Sequence, residues 1–277
     1  MKGPRAPHWC NCGTKDDRIM KRPKYLTALV LGGFSIWASL TAIRGEEPGS
    51  KPAEVATLDQ LARIPASRFT KVIENSTSPD KRLAVALGSK DGKKPDWEGE
   101  SYEGRGGAVV HSYILEDCRN YVIDLRADRV TGILDGTHFG TRIRHNHESH
   151  STVWSPDSRW LVETQSWKWH TETCTVHRLD AGGGQVARLD FVKEAGEIVD
   201  AWLQEQFPKV TADQRGRYAV TISVERIGDD GRLIVGISAQ IPKDTEAEYV
   251  NVFATAKVEQ AEDGKLTLGD SKVVGRE

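Results

Sequence analysis

The sequence is poor in the groups that define a function by themselves. It has four cysteines and two methionines in 277 residues, and its formal charge is only −2. So few cysteines exclude a disulfide-built miniature scaffold. A balanced charge gives no electrostatic footprint for nucleic acid. No apolar run long enough to span a bilayer follows residue 43, which excludes a multi-span membrane protein. A Gly-x-Ser-x-Gly elbow, a phosphate-binding Gly-x-x-x-x-Gly-Lys loop and a His-Glu-x-x-His pair are all missing. Gly104-Arg105-Gly106-Gly107 precedes a predicted strand rather than opening a helix, so it is no phosphate cradle. Carboxylates are plentiful, but no spacing singles out an acid–base pair. The sequence therefore gives no reason to expect an enzyme, and it implies no cofactor.

What is present begins with an address. Tyr25–Ile43 is 19 residues without a charge, preceded by Met20-Lys21-Arg22-Pro23-Lys24. A basic segment, an apolar segment and a small-residue exit form a secretory signal; cleavage would fall after Ala42, where Leu40 at the −3 position departs from the small-residue pattern. The same run is nearly long enough to stay in the bilayer as an anchor with its N-terminus in the cytoplasm. The expectation is an exported, periplasmic or otherwise extracytoplasmic protein, soluble or held at the inner membrane through residues 25–43. Residues 1–24 then read as a cytoplasmic tail with the basic flank, or as untranslated up to Met20. Residues 44–56 read as a Pro/Gly/Glu-rich linker and 57–277 as a single β-rich domain. Residues 1–42 hold seven Lys/Arg and two Asp/Glu, leaving 31 basic and 38 acidic residues, a charge of −7, on the rest. That acidic balance argues against a polyanionic partner. Only Cys118 and Cys174 lie in the exported part, and they read either as a disulfide or as two buried thiols.

In the domain the hydrophobic period is mostly two. Thr57-Leu58-Asp59-Gln60 is a capping box for a short helix that Pro65 ends. Strands are predicted at 83–87, 108–115, 121–125, 130–134, 160–169, 173–179 and 186–191. Four more are predicted at 218–226, 233–239, 249–259 and 265–274, as hairpins around Asp229-Asp230-Gly231 and Glu262-Asp263-Gly264. One helix interrupts them. Ile198, Val199, Trp202, Leu203 and Phe207 make a helical face within 194–207, and Pro208 closes it.

A degenerate repeat organises these strands. Ser78-Pro79-Asp80-Lys81-Arg82 precedes one apolar strand and Ser155-Pro156-Asp157-Ser158-Arg159 another. Asp213-Gln214-Arg215-Gly216-Arg217 is a weaker third copy. Proline presets the turn, and Asp or Ser bonds the local backbone. Strand–Asp-polar turns at 120–128 and 174–183 follow. These segments resemble the Trp-Asp-repeat-like β-propellers of bacterial envelope proteins, over roughly residues 70–260. The resemblance implies blades of antiparallel strands and interactions through a ring face or loops. Arg82, Arg159 and Arg217 stand 77 and 58 residues apart, against about 40–45 for a regular blade. The expected fold is thus mainly β, a small or irregular propeller-like stack of antiparallel sheets with one inserted helix.

Two segments carry candidate sites. His145, His147 and His150 form the densest cluster of metal-ligand types, and a strand there would put His145 and His147 on one face. The plainer reading is a solvated loop between blades. If the strand from Trp160 ran unbroken, Glu163, Gln165, Trp167 and Trp169 would share a face, where two indoles beside an amide and a carboxylate suit a sugar ring or a peptide. The plainer reading there is sheet packing. The function expected from the sequence is a non-catalytic binding or scaffold role, with a protein or glycan partner in the cell envelope. The alternatives are a carbohydrate-active or other hydrolase using the Trp167/Trp169 face, and a metal sensor using His145–His150.

Overall fold

Polar turns break the chain at short intervals, and each break lets an apolar strand fold back on its neighbour. The computed structural model describes residues 55–95, 97, 100–103, 109–112, 118–134, 136, 149–167, 170–215, 219–240 and 249–276. The segment expected to be a signal or anchor, Tyr25–Ile43, lies outside them, as does the linker up to residue 54. Among the described residues no helix is long and apolar enough to cross a membrane.

Three four-stranded antiparallel sheets follow one another along the chain. The first is made of β1 (Thr70–Thr77), β2 (Leu83–Ser89), β5 (Cys118–Asp124) and β6 (Arg129–Ile133), with the hairpin β3 (Glu100–Glu103) and β4 (Val109–Ser112) inserted after β2. The second is β7 (Ser149–Trp154), β8 (Trp160–Ser166), β9 (Thr171–Leu179) and β10 (Gln185–Asp190). The third is β11 (Ala219–Ile227), β12 (Arg232–Gln240), β13 (Tyr249–Gln260) and β14 (Leu266–Arg276). In each sheet, strand order in space follows strand order in sequence. β7 lies beside both β1 and β11, and β10 beside both β6 and β14. First strands therefore gather along one edge of the stack and last strands along the other.

Helices fill the remaining gaps. α1 (Leu58–Leu61) is capped reciprocally as the sequence predicts: the Thr57 amide donates to Gln60 Oε1 at 2.7 Å, and the Gln60 amide donates to Thr57 Oγ1 at 3.3 Å. With a 3-10 turn at Ala66–Arg68 it covers the outer face of the first sheet. There Leu61, Ala66 and Phe69 pack on Ala84, Ala86, Tyr121 and Ile123. Asp190 caps α2 (Phe191–Gln206) through the Val192 amide, and α3 (Ala212–Arg215) follows. The sequence-predicted start of α2 at 194 is three residues late, because Phe191 is an apolar residue that also extends the β10 alternation.

Central β8 faces two ways. Trp160, Val162 and Thr164 alternate with Leu161, Glu163 and Gln165, and all six are buried. The first set meets the third sheet and α2 in a large apolar seam with Val176, Phe191, Val199, Leu203, Leu233 and Val235. Leu161, with Leu179, meets Leu83, Val85, Val122 and Leu134 of the first sheet.

The same turn opens the second strand of each sheet. In the first, Lys81 donates its amide to Ser78 O, and the Arg82 amide donates to Asp80 Oδ1. In the second, Ser158 donates to Ser155 O and Arg159 to Asp157 Oδ1. In the third, Gly231 donates to Gly228 O and Arg232 to Asp230 Oδ1. Lys81, Ser158 and Gly231 all have positive φ, at 57°, 60° and 78°. This places the third copy of the repeat at 228–232 and corrects the expectation of a copy at Asp213, where the chain instead forms α3. The basic residues of the turns, Arg82, Arg159 and Arg232, are thus 77 and 73 residues apart. The inserted hairpin and loops lengthen the first interval, and α2 with α3 lengthens the second.

The turns are also joined in a row. The Asp80 amide donates to Ser158 Oγ at 3.4 Å, and the Asp157 amide donates to Asp229 Oδ1 at 2.8 Å. Burial alone would raise the Asp80 and Asp157 carboxyls. The hydrogen bonds from Ser78 and Ser155, and from the backbone amides of the two arginines, more than reverse that and hold both below the usual carboxylate range.

Candidate functional site

The polar end of the seam between the first and second sheets is the most chemically loaded place among the described residues. Strand alternation turns Glu163 of β8 toward the first sheet, where β5 presents Asn120. Glu163 is 1% exposed and Asn120 is fully buried. Asn120 Nδ2 donates to Glu163 Oε1 at 2.6 Å. His150 Nε2, from neighbouring β7, lies 3.0 Å from the same oxygen. The amide of Gly136, just beyond β6, donates to Oε2 at 3.1 Å. A Cβ at Gly136 would stand 2.8 Å from Oε1, so any side chain there would displace the carboxylate.

An isolated carboxylate in such a place would take up a proton, since burial disfavours charge. Burial does push Glu163 upward. The hydrogen bond and charge of His150, the Asn120 bond and the charge of His177 outweigh it and hold the carboxyl below its ordinary range. Both oxygens are engaged by donors and closed off from solvent. That chemistry fastens one sheet to the other. It does not present a base to a substrate.

The two candidate sets read from the sequence meet here in part. Glu163 comes from one and His150 from the other. Gln165 is buried on the same face, opposite His150 in the strand register. His150 is on a strand with its side chain 3% exposed, which corrects the picture of a solvated loop at this residue. His145 and His147 lie outside the described residues, as does Trp169. Among the described residues there is no group of three His, Cys, Asp or Glu side chains able to hold a metal ion. β8 ends at Ser166, so the unbroken strand to Trp169 is not formed. The Trp167 amide donates to His170 O, and its indole N–H is engaged by the Glu172 carboxylate. Trp167 therefore sits at the tip of the β8–β9 hairpin, apart from the buried face of Glu163 and Gln165.

Sequence reasoning passed over Asn120, Gly136 and His177. A partner for a buried glutamate is supplied from another sheet, and nothing local marks it. Cys118 and Cys174 are both buried and are not bonded to each other. Burial pushes Cys174 up to about 12, so it is inert as a nucleophile. In comparisons with known proteins, no family model matches the chain and no curated protein matches its sequence.

Proposed function

We propose that this chain is an exported, non-catalytic binding or scaffold protein of the cell envelope, built as an open propeller-like arc of three blades. The observation that carries the reading is the common plan of the three sheets. Each is a four-stranded meander with its first strand along one edge of the stack and the same Asp turn before its second strand. Blades of a propeller are arranged in this way, and such folds are used through their rims and loops. The buried, donor-saturated Glu163 supports a holding role over a reactive one. The outer face of the third sheet supports it too: Ile234 and Phe253 are only half-buried there, while the outer face of the first sheet is covered by α1.

Crosslinking of the tagged protein in intact cells, with mass spectrometry of the envelope fraction, tests this. The expected result is a reproducible partner enriched over an exported control, with the mature N-terminus beyond the apolar segment or that segment retained in the membrane. Recovery of the protein free of partners, together with turnover of an envelope glycan by the purified chain, would replace this reading with the hydrolase one.

A further inference from the structure

The seam between the first and second sheets is divided along its length. At the turn end it is apolar, with Leu83, Val122, Leu161 and Leu179 in contact. It is also pinned there, by the Asp80–Ser158 bond and by Trp154 Nε1 donating to Ser76 O at 2.9 Å. At the other end the sheets are tied by Glu163 alone among the described carboxylates, through Asn120 and Gly136 of the first sheet. We propose that this junction is an acid-operated latch: protonation of Glu163 releases the first sheet from the second at this end, with the row of Asp turns as the hinge.

The argument is one of donors and acceptors. The carboxylate is the acceptor for both N–H groups that reach it from the first sheet. Oε1 receives Asn120 and lies 3.0 Å from His150 Nε2, and Oε2 receives Gly136. One added proton makes a donor of whichever oxygen takes it. On Oε2 it shares the oxygen with the Gly136 amide; on Oε1 it shares the oxygen with the Asn120 amide group. In either case the anion that accepts both bonds is lost and a new O–H is set in a dry site built of donors from the first sheet, where a buried donor without an acceptor is costly. Among the described residues, the titratable groups facing Glu163 are His150 from β7 and His177 from β9, and both favour its anion. From the first sheet it meets the neutral Asn120 of β5 and the Gly136 amide. Asp124, on the same side of β5 as Asn120, accepts instead from the Arg126 and Ala127 amides. The sign follows from the lowered carboxyl. The latch is fully closed above the ordinary glutamate value, about 4.3. It weakens as pH falls from there toward the folded value, and below that value its contribution is gone.

Hydroxyl-radical footprinting of the full chain between pH 7 and pH 3.5 reads this directly, with each residue normalised to the unfolded chain at the same pH. Leu134 adjoins the latch, its amide bonded to Asn120 O, and is 3% exposed; Leu83 is fully buried at the hinge. In the wild type, oxidation of Leu134 is expected to rise about tenfold per pH unit across the acid window, the limit for uptake of one proton. Leu83 stays protected, and the half-buried Trp154 keeps its neutral-pH level. Glu163→Gln, which resembles the protonated acid, is expected to show exposed Leu134 at every pH. Asn120→Asp sets a second carboxylate against the first, so that a shared proton closes the latch, and its Leu134 is expected to be protected on acidification. If Glu163→Gln fails to fold, the other two proteins decide. A simultaneous rise of Leu134 and Leu83 in the wild type overturns the proposal, as does an acid-opening response in Asn120→Asp.

Discussion

The two seams of this molecule are built on the same turns and filled in opposite ways. Between the second and third sheets the filling is apolar but for neutral hydroxyls such as those of Thr164 and Thr171, and Phe191, Val199 and Leu203 of α2 add to it. Between the first and second sheets only the turn end is apolar; the other end holds Asn120, His150 and Glu163. Apolar burial is additive and insensitive to pH, at roughly 25 cal/mol per Å² of surface removed from water. A buried carboxylate contributes only while every donor keeps its acceptor. One seam is thus suited to hold the stack together and the other to respond.

The largest expected effect tests the first half of that contrast. Phe191→Ala removes a fully buried ring from the apolar seam, and about 3–5 kcal/mol of stability should go with it. Urea unfolding at neutral pH measures this. A loss below 1 kcal/mol would mean that the two seams do not differ as described. Next comes the row of turns. Gly231 has φ +78°, and a Cβ there would stand 2.5 Å from Val258 O. Gly231→Ala is therefore expected to cost about 1–3 kcal/mol from backbone strain, with the clash added. The smallest effect belongs to the matching position in the first turn, where Lys81 holds φ 57° with a side chain already in place. Lys81→Gly relieves that conformation while loosening the unfolded chain, so the net should lie within about 1 kcal/mol of zero. Equal penalties at the two positions would show that the first and third turns are not equivalent in the fold.

Much of this architecture was legible in the sequence where the signal is local. The Thr57–Gln60 cap, the Asp229-Asp230-Gly231 and Glu262-Asp263-Gly264 hairpins, and the apolar stripe of α2 each need only neighbouring residues. The strand β7 was not legible, because Ser149-His150-Ser151-Thr152 has almost no apolar side chain; it pairs as an edge to β8 through its backbone. The third turn reads as a hairpin but not as a copy of the repeat, because it lacks the Ser-Pro of the other two and shares only Asp230 and Arg232 with them. Glu163 and Gln165 were legible as polar residues on one face of a strand. That they are buried against Asn120 and Gly136 was not, since those partners lie 43 and 27 residues away along the chain.

The row of turns has one more consequence. Each step runs the same way, from the amide of one Asp to a side chain of the following turn, from Asp80 to Ser158 and from Asp157 to Asp229. Such a row has a head and a tail, like a chain of hooks and eyes. At the head, α1 and Phe69 already sit on the first sheet. A designer wishing to lengthen the protein would therefore graft a fourth sheet after β14 and give its first turn an acceptor for the amide of Asp230. A sheet added before β1 would first have to evict a helix. The row thus has its open hook at the third turn and its helix-covered end at the first.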